Sequence, residues 1–311
     1  MDNGSAAILH DSGRAEERAW ADTAILLAIA GVVALVHVAT NGRYGFHRDE
    51  LQTLSDALHM DWGFVAYPPF TPFVERVGMA LFGHSLMGLR MFSVLAQAAA
   101  IFVAGLMARE LGGGRLAQVT AAVSVALAPL AMFEATEFQY STFDYLWWVL
   151  IAYFVIRLLK SDDARWCVGI GAVVGLGLMT KYTMGFYVMG IVGGLLLTSA
   201  RKFLWSKWFW IGIAIAVVIC LPNLIWQVRH DFISLHFLRH IHARDVRQGR
   251  AEGFFKDQFR INANLASAPL WIAGLVAYFR DRRFRLLGWM YVIPLAVFAL
   301  TKARFYYLGA A

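Results

Sequence analysis

Nine stretches of this chain are too apolar and too long to serve as strands or surface helices of a water-soluble domain. They cover residues 21–40, 86–108, 116–133, 143–159, 166–180, 182–200, 208–226, 265–279 and 286–300. A helix rising about 1.5 Å per residue needs roughly 20 apolar residues to cross a hydrocarbon core of about 30 Å. Most of the nine reach that length or come close. With 59% of 311 residues hydrophobic and 16% charged, most side chains must face lipid or another helix. The chain therefore reads as an all-α polytopic membrane protein with about nine transmembrane helices. Helices are the natural spanning element because lipid offers no partner to an open backbone group.

Two of the runs are short. Residues 166–200 are therefore expected to form a hairpin bent at Lys181, with Trp166 and Tyr182 near the interfaces. The first run follows a mixed-charge segment (Arg14, Glu16, Glu17, Arg18) and lacks a small-residue cleavage site, so it reads as an anchor. Residues 1–20 are expected to be a flexible cytoplasmic tail, and 21–311 one transmembrane domain.

Basic residues set the orientation, because Lys and Arg in short loops stay on the cytoplasmic side. Arg109 with Arg115, Arg157 with Lys160 and Arg165, Arg201 with Lys202 and Lys207, and the basic run 280–285 fall in alternate loops. The intervening segments 41–85, 134–142 and 227–264 then face outward. The N-terminus is then cytoplasmic and the chemistry is expected to face the periplasm or lumen, the periplasm if the membrane is a bacterial inner membrane. The net charge of +7 is mostly topological on this basis, and no interleaving of basic and aromatic residues points to nucleic acid. Cys167 and Cys220 lie within apolar runs and say nothing about redox compartment.

The first outward segment is apolar yet interrupted by Pro68, Pro69 and Pro72, which preclude one straight crossing. Two amphipathic helices in the interface are expected, near residues 50–59 and 71–82, roofing a cavity between the spans. Just before them stands an acidic pair, Asp49-Glu50, which places carboxylate chemistry at the membrane surface. The plainer reading is a solvated loop with a charged tip.

Asp144 enters the fourth run from the outward end, where a carboxylate is costly and marks a functional candidate. Its plainer role would be a helix N-cap. Lys181, Lys302 and Arg304 lie on the outward side against the charge rule. Together they could grip a lipid-linked phosphate, or singly they snorkel to the interface. His236 and His240, one helical turn apart, leave room for a divalent metal with Asp231 or Asp245, although phosphate or surface contact suits this basic segment better.

The order of His47-Arg-Asp-Glu50, Trp62-Gly-Phe-Val-Ala-Tyr-Pro-Pro69, Gly88-Leu-Arg-Met-Phe92 and Gly175-Leu-Gly-Leu-Met-Thr-Lys181 resembles bacterial glycosyltransferase family 39. Its members are GT-C fold enzymes related to protein mannosyltransferases and aminoarabinose transferases. Leu221-Pro-Asn-Leu-Ile-Trp-Gln227 and Lys302-Ala-Arg-Phe-Tyr-Tyr-Leu308 extend the similarity, which covers roughly residues 42–308. The resemblance implies a polyprenyl-phosphate sugar as donor, a lipid, glycan or protein acceptor on the outer face, and inversion at the anomeric carbon. Asp49 would be the general base, and Glu50 and Asp144 would hold acceptor or sugar hydroxyls. Arg48, Lys181, Lys302 and Arg304 would meet the charge developing on the leaving phosphate. Family members continue past the Lys302 stretch with more helices and often a soluble outer domain, so this domain is expected to be C-terminally shortened relative to them.

A transporter or flippase for a lipid-linked or anionic substrate is the competing class, since intramembrane charges line such proteins too. The chain shows no internal repeat and no matching pair of Gly/Pro-broken helices in its halves, and its charge gathers on one face.

Overall fold

The computed structural model describes residues 3–262 and 265–309, with side chains from residue 17 onward. Among these residues the chain forms fourteen α-helices and no strand. The first four are α1 (Asn3–Thr40), α2 (Arg48–Leu58), α3 (Phe70–Phe82) and α4 (Leu86–Glu110). Next come α5 (Arg115–Ala126), α6 (Pro129–Glu134), α7 (Tyr140–Ser161), α8 (Trp166–Leu178) and α9 (Met184–Leu197). The rest are α10 (Lys207–Arg229), α11 (Ile233–Arg247), α12 (Phe254–Asp257), α13 (Ala268–Arg280) and α14 (Arg285–Leu300). A short 3-10 turn, Phe305–Leu308, follows α14.

All nine apolar runs fall largely in helices, but they are not nine equal spans. The Glu17–Thr40 part of α1, with α4, α7 and α10, is long and apolar enough to cross a membrane unaided. A fifth crossing forms if α9 is joined to the 3-10 segment Ser199–Trp205, at a bend of 106°. The third run is split into α5 and α6 because Pro129 cannot continue a helical ladder and instead starts a new helix. Of the tail expected at residues 1–20, residues 1 and 2 lie outside the described residues and 3–20 are helical. Its backbone continues α1, and the stretch Arg14 to Trp20 consists mostly of good helix formers. Two helices, α2 and α3, form where a pair was expected near residues 50–59 and 71–82.

α4 is central and packs against α1, α5 and α7, while α8 lies between α7 and α10 and α9 lies along α14. Small residues permit the closest approach. A Cβ on Gly171 of α8 would collide with the Gly212 carbonyl oxygen of α10, so the two backbones cross where neither has a side chain. At one end of the bundle the basic loops are stitched by exposed pairs, including Arg115–Asp22 and Lys160–Glu110. Pairs of this kind contribute little individually. At the other end meet α2, α3, the start of α7, the α8–α9 turn, α11 and the Phe305–Leu308 turn. That end carries the candidate site.

Candidate active site

The acidic pair at the start of α2 divides into two unlike residues. Glu50 accepts the His47 backbone N–H at 2.8 Å as the far half of a capping box, with His47 as N-cap. It also accepts the Phe138 N–H at 2.8 Å, and Arg90 donates Nε and Nη2 to its two oxygens at 2.7 Å each. Arg90 sends its remaining N–H groups to the carbonyls of Asn41 (2.5 Å), Tyr44 (3.4 Å) and Gly45 (2.9 Å), under the Tyr44 ring. Both side chains are fully buried. Glu50, expected to hold a substrate hydroxyl, is instead enclosed by protein donors and ties α4 to the α1–α2 and α6–α7 connections. Asp49, one residue earlier on the helix, keeps 45% of its side chain exposed, with Arg48 Nε 3.2 Å from Oδ1.

Asp144 lies beyond the first turn of α7 and is no N-cap. Its Oδ1 accepts Trp148 Nε1 at 3.0 Å, its Oδ2 accepts Thr183 Oγ1 at 3.2 Å, and Lys181 Nζ stands 3.5 Å from Oδ2. The turn between α8 and α9 places Lys181 there, its N–H held by the Gly177 carbonyl at 2.8 Å. Three tyrosine rings surround the ammonium: Tyr307 at 5.3 Å, Tyr140 at 5.4 Å and Tyr306 at 5.8 Å. Such faces attract a cation without discharging it. Tyr140 is therefore one wall of the Lys181 pocket. Its ring also lies 5.4 Å from that of Tyr67, whose hydroxyl donates to Asp56 Oδ2 at 2.6 Å.

Two further carboxylates border this space. Burial raises the Glu134 carboxyl above its ordinary value, opposed by the Ser141 hydroxyl and the Lys181 charge. Burial likewise raises Glu137, opposed by His47 and a hydrogen bond from Gln139. Behind α2, Glu75 is pushed up to about 8 by burial and then by the charges of Glu50 and Asp56. Both Glu75 oxygens lack a hydrogen-bond partner among the described residues.

The other expected cations scatter. Arg304 donates to Asp245 through Nε (2.6 Å) and Nη2 (2.5 Å), and through Nη1 to the Tyr306 hydroxyl (2.7 Å). Arg244 and Arg250 also reach Asp245 at 3.2 Å, so three guanidinium groups gather on one carboxylate. Burial would raise Asp245, and the bonds from Arg304 and Arg244 more than reverse this, holding it below its ordinary value. Arg48 is 87% exposed in its side chain, and Lys302 is exposed with a left-handed φ of 53°. The structure thus groups Lys181 with Asp144 and brings Arg304 to the same tyrosines, but leaves Arg48 and Lys302 at the surface. No group of three His, Cys, Asp or Glu side chains placed to hold a metal occurs among the described residues. Arg90 and the tyrosines Tyr140, Tyr306 and Tyr307 were not singled out from sequence as site residues. Arg90 had a signal, since an arginine inside an apolar run is itself a candidate.

A groove of about 740 Å³ opens between α5 and the α13–α14 pair. Ala117, Thr120, Ser124, Trp271 and Gly274 line it, and it reaches Leu308 and Gly309, next to the tyrosines of the site.

The sequence profile of the dolichyl-phosphate-mannose-protein mannosyltransferase family matches residues 66–226, just over half of the chain. The chain belongs to that family. The lipid A galacturonosyltransferase RgtD of Rhizobium johnstonii is 28% identical over 272 residues, covering 84% of this chain and 56% of its own length. The undecaprenyl phosphate-alpha-4-amino-4-deoxy-L-arabinose arabinosyl transferase 1 of Pseudomonas fluorescens is 26% identical over 316 residues, covering 92% and 56%. The crystal structure of ArnT from Cupriavidus metallidurans bound to undecaprenyl phosphate superimposes with a TM-score of 0.72 at 20% identity, covering 94% of this chain and 58% of ArnT. Its apo state gives a TM-score of 0.61 at 19% identity, covering 95% and 58%. This mannosyltransferase-family chain therefore has the GT-C fold, and it spans a little over half the length of the relatives it matches. It is an integral membrane protein.

Proposed function

We propose that this chain carries the catalytic face of a membrane glycosyltransferase that moves a sugar from a polyprenyl-phosphate donor to a lipid acceptor at the outer surface of a bacterial inner membrane, with inversion. The observation that carries this reading is a half-exposed Asp49 carboxylate at the same end of the bundle as a buried Lys181 whose ammonium is ringed by tyrosines. The names of the relatives support it, since they describe transfer of sugars to lipid A or from undecaprenyl phosphate.

The chemistry assigns each group a task. Asp49 takes the proton from the acceptor hydroxyl as that oxygen attacks the anomeric carbon opposite the phosphate. The bond to the phosphate oxygen breaks, and polyprenyl phosphate leaves. Its developing charge needs fixed cations and no general acid, a role for Lys181 supplemented by Arg304. Asp144 holds Lys181 in place, while Glu50 and Arg90 hold the backbone that presents Asp49. The prenyl tail lies in the apolar groove between α5 and the α13–α14 pair, whose end opens beside the tyrosines.

The test is transfer from a panel of radiolabelled undecaprenyl-phosphate sugars to a lipid extract, with the wild-type chain and Asp49→Asn. Loss of about 10²-fold or more in the variant is expected, because general base catalysis commonly contributes that much. Transfer that survives in Asp49→Asn moves the base elsewhere, and uptake of donor into vesicles without a covalent product would favour a transporter.

A further inference from the structure

His47 stands between two carboxylates. Its Nδ1 is 3.4 Å from Glu137 Oε2 and 4.0 Å from Asp49 Oδ2. The same nitrogen faces the Asp49 backbone N–H at 3.3 Å, and Gln139 Nε2 lies 2.5 Å from Glu137 Oε2 and 3.5 Å from Nδ1. Amide protons thus occupy the space around Nδ1, which presents its lone pair. The three side chains are graded from water to interior, with 45% of Asp49, 38% of His47 and 13% of Glu137 exposed.

We propose that His47 and Glu137 form the proton outlet of the Asp49 base. This rests on the glycosyl-transfer reading above, and it adds to that reading what happens to the proton. In the transfer step the acceptor O–H bond breaks, the new C–O bond forms, and the proton sits on Asp49. Rotation of the half-exposed Asp49 side chain closes the 4.0 Å gap, and the proton passes from Oδ2 to Nδ1. The resulting imidazolium donates Nδ1–H to Glu137, the ion pair that makes the step downhill, since a charge-assisted bond is about twice as strong as a neutral one. Water then takes a proton from the imidazolium, and Asp49 is ionised for the next turnover. His47 is a relay and Glu137 a positioning residue that acts through it.

The geometry makes the outlet depend on pH. Glu137 is faced by His47 and Gln139, by the Glu50–Arg90 pair, and by Glu134 from the end of α6, with Asp49 beyond the imidazole. Burial holds its carboxyl above the ordinary value, so Glu137 gains a proton and the outlet closes before an ordinary carboxylate would titrate. Turnover should therefore fall on acidification earlier than an ordinary carboxylate would make it fall.

The test measures kcat and KM for sugar transfer against pH, using the full chain and the donor panel already named. Glu137→Gln should lower kcat about tenfold, leave KM within about twofold, and move the acid limb of kcat to lower pH. Glu137→Asp should restore most of the rate. His47→Asn keeps an oxygen able to cap α2 but cannot carry a proton, and it should reproduce the loss in kcat. Wild-type kcat with an unshifted acid limb in Glu137→Gln, or wild-type kcat in His47→Asn, overturns the outlet while leaving Asp49 as base. A wild-type chain that transfers no sugar from any donor overturns the glycosyl-transfer reading itself, and the outlet with it.

Discussion

Two carboxylate–cation pairs lie within the same end of the bundle, and they are built in opposite ways. Around Arg90, every guanidinium N–H meets a fixed protein acceptor at 3.4 Å or less, and Glu50 receives four donors in return. Around Lys181, Asp144 stands 3.5 Å away, three tyrosine faces lie 5.3 to 5.8 Å away, and the Glu134 carboxyl borders the same space. A buried charge must be compensated in both cases. The first pair spends its whole hydrogen-bonding capacity on the protein and so can only hold structure. Among the described residues the second gives the ammonium a single ion-pair partner, at 3.5 Å, which suits it to an anion that comes and goes.

The largest effect expected from this contrast is on folding. Arg90→Met leaves Glu50 buried without its cation and should cost about 3–5 kcal/mol, seen as a large fall in Tm in detergent. Pairing it with Glu50→Gln should recover part of that loss. A single variant with unchanged Tm would show that Glu50 simply takes up a proton, and the clamp would lose its structural meaning.

Lys181→Met sharpens the other side. Asp144 keeps its Trp148 and Thr183 donors, so stability should fall less than for Arg90→Met. Affinity for undecaprenyl phosphate should drop by roughly 10- to 100-fold, the worth of one charged hydrogen bond. Equilibrium binding of the radiolabelled lipid decides it. Undiminished binding would reduce Lys181 to a counterion of Asp144.

Glu75 provides the smallest effect and a third case, a buried carboxylate with no ion-pair or hydrogen-bond partner among the described residues. Its folded value of about 8 lies above the ordinary 4.5. The folded state therefore holds this proton more tightly than the unfolded chain does. The stability it contributes is fully present below about 4.5 and is lost as pH rises through 8. Glu75→Gln should flatten this part of the Tm–pH curve and exceed the wild type at pH 8–9 by about 2 kcal/mol, on the order of one buried unsatisfied group. A wild-type curve already flat between pH 5 and 8 would mean that Glu75 finds a partner such as water.

Much of this architecture was legible in the chain itself. The apolar runs located the helices, Pro68 and Pro69 fall between α2 and α3 with Pro72 in the first turn of α3, and Lys181 emerged in the turn between α8 and α9 as expected. Span lengths were less legible, because Pro129 and the bend after Leu197 shorten runs whose composition looks continuous. Asp49 and Glu50 were indistinguishable as neighbours in sequence. Consecutive residues at a helix start point about 100° apart, so one carboxylate can be sealed while the other meets water.

Composition and pattern by themselves determined that the chain is helical and lies in a membrane, and that its acidic pair precedes a proline-interrupted segment. Those properties follow from local apolar length and from what proline permits. Tertiary structure alone decided which carboxylate is enclosed by Arg90, which cation is left with one ion-pair partner at 3.5 Å, and that His47 stands between Asp49 and Glu137. Each of those depends on groups tens of residues apart meeting at a few ångströms. Charge has no periodicity that would announce such a meeting, and only the packing of α4, α7 and the α8–α9 turn brings it about.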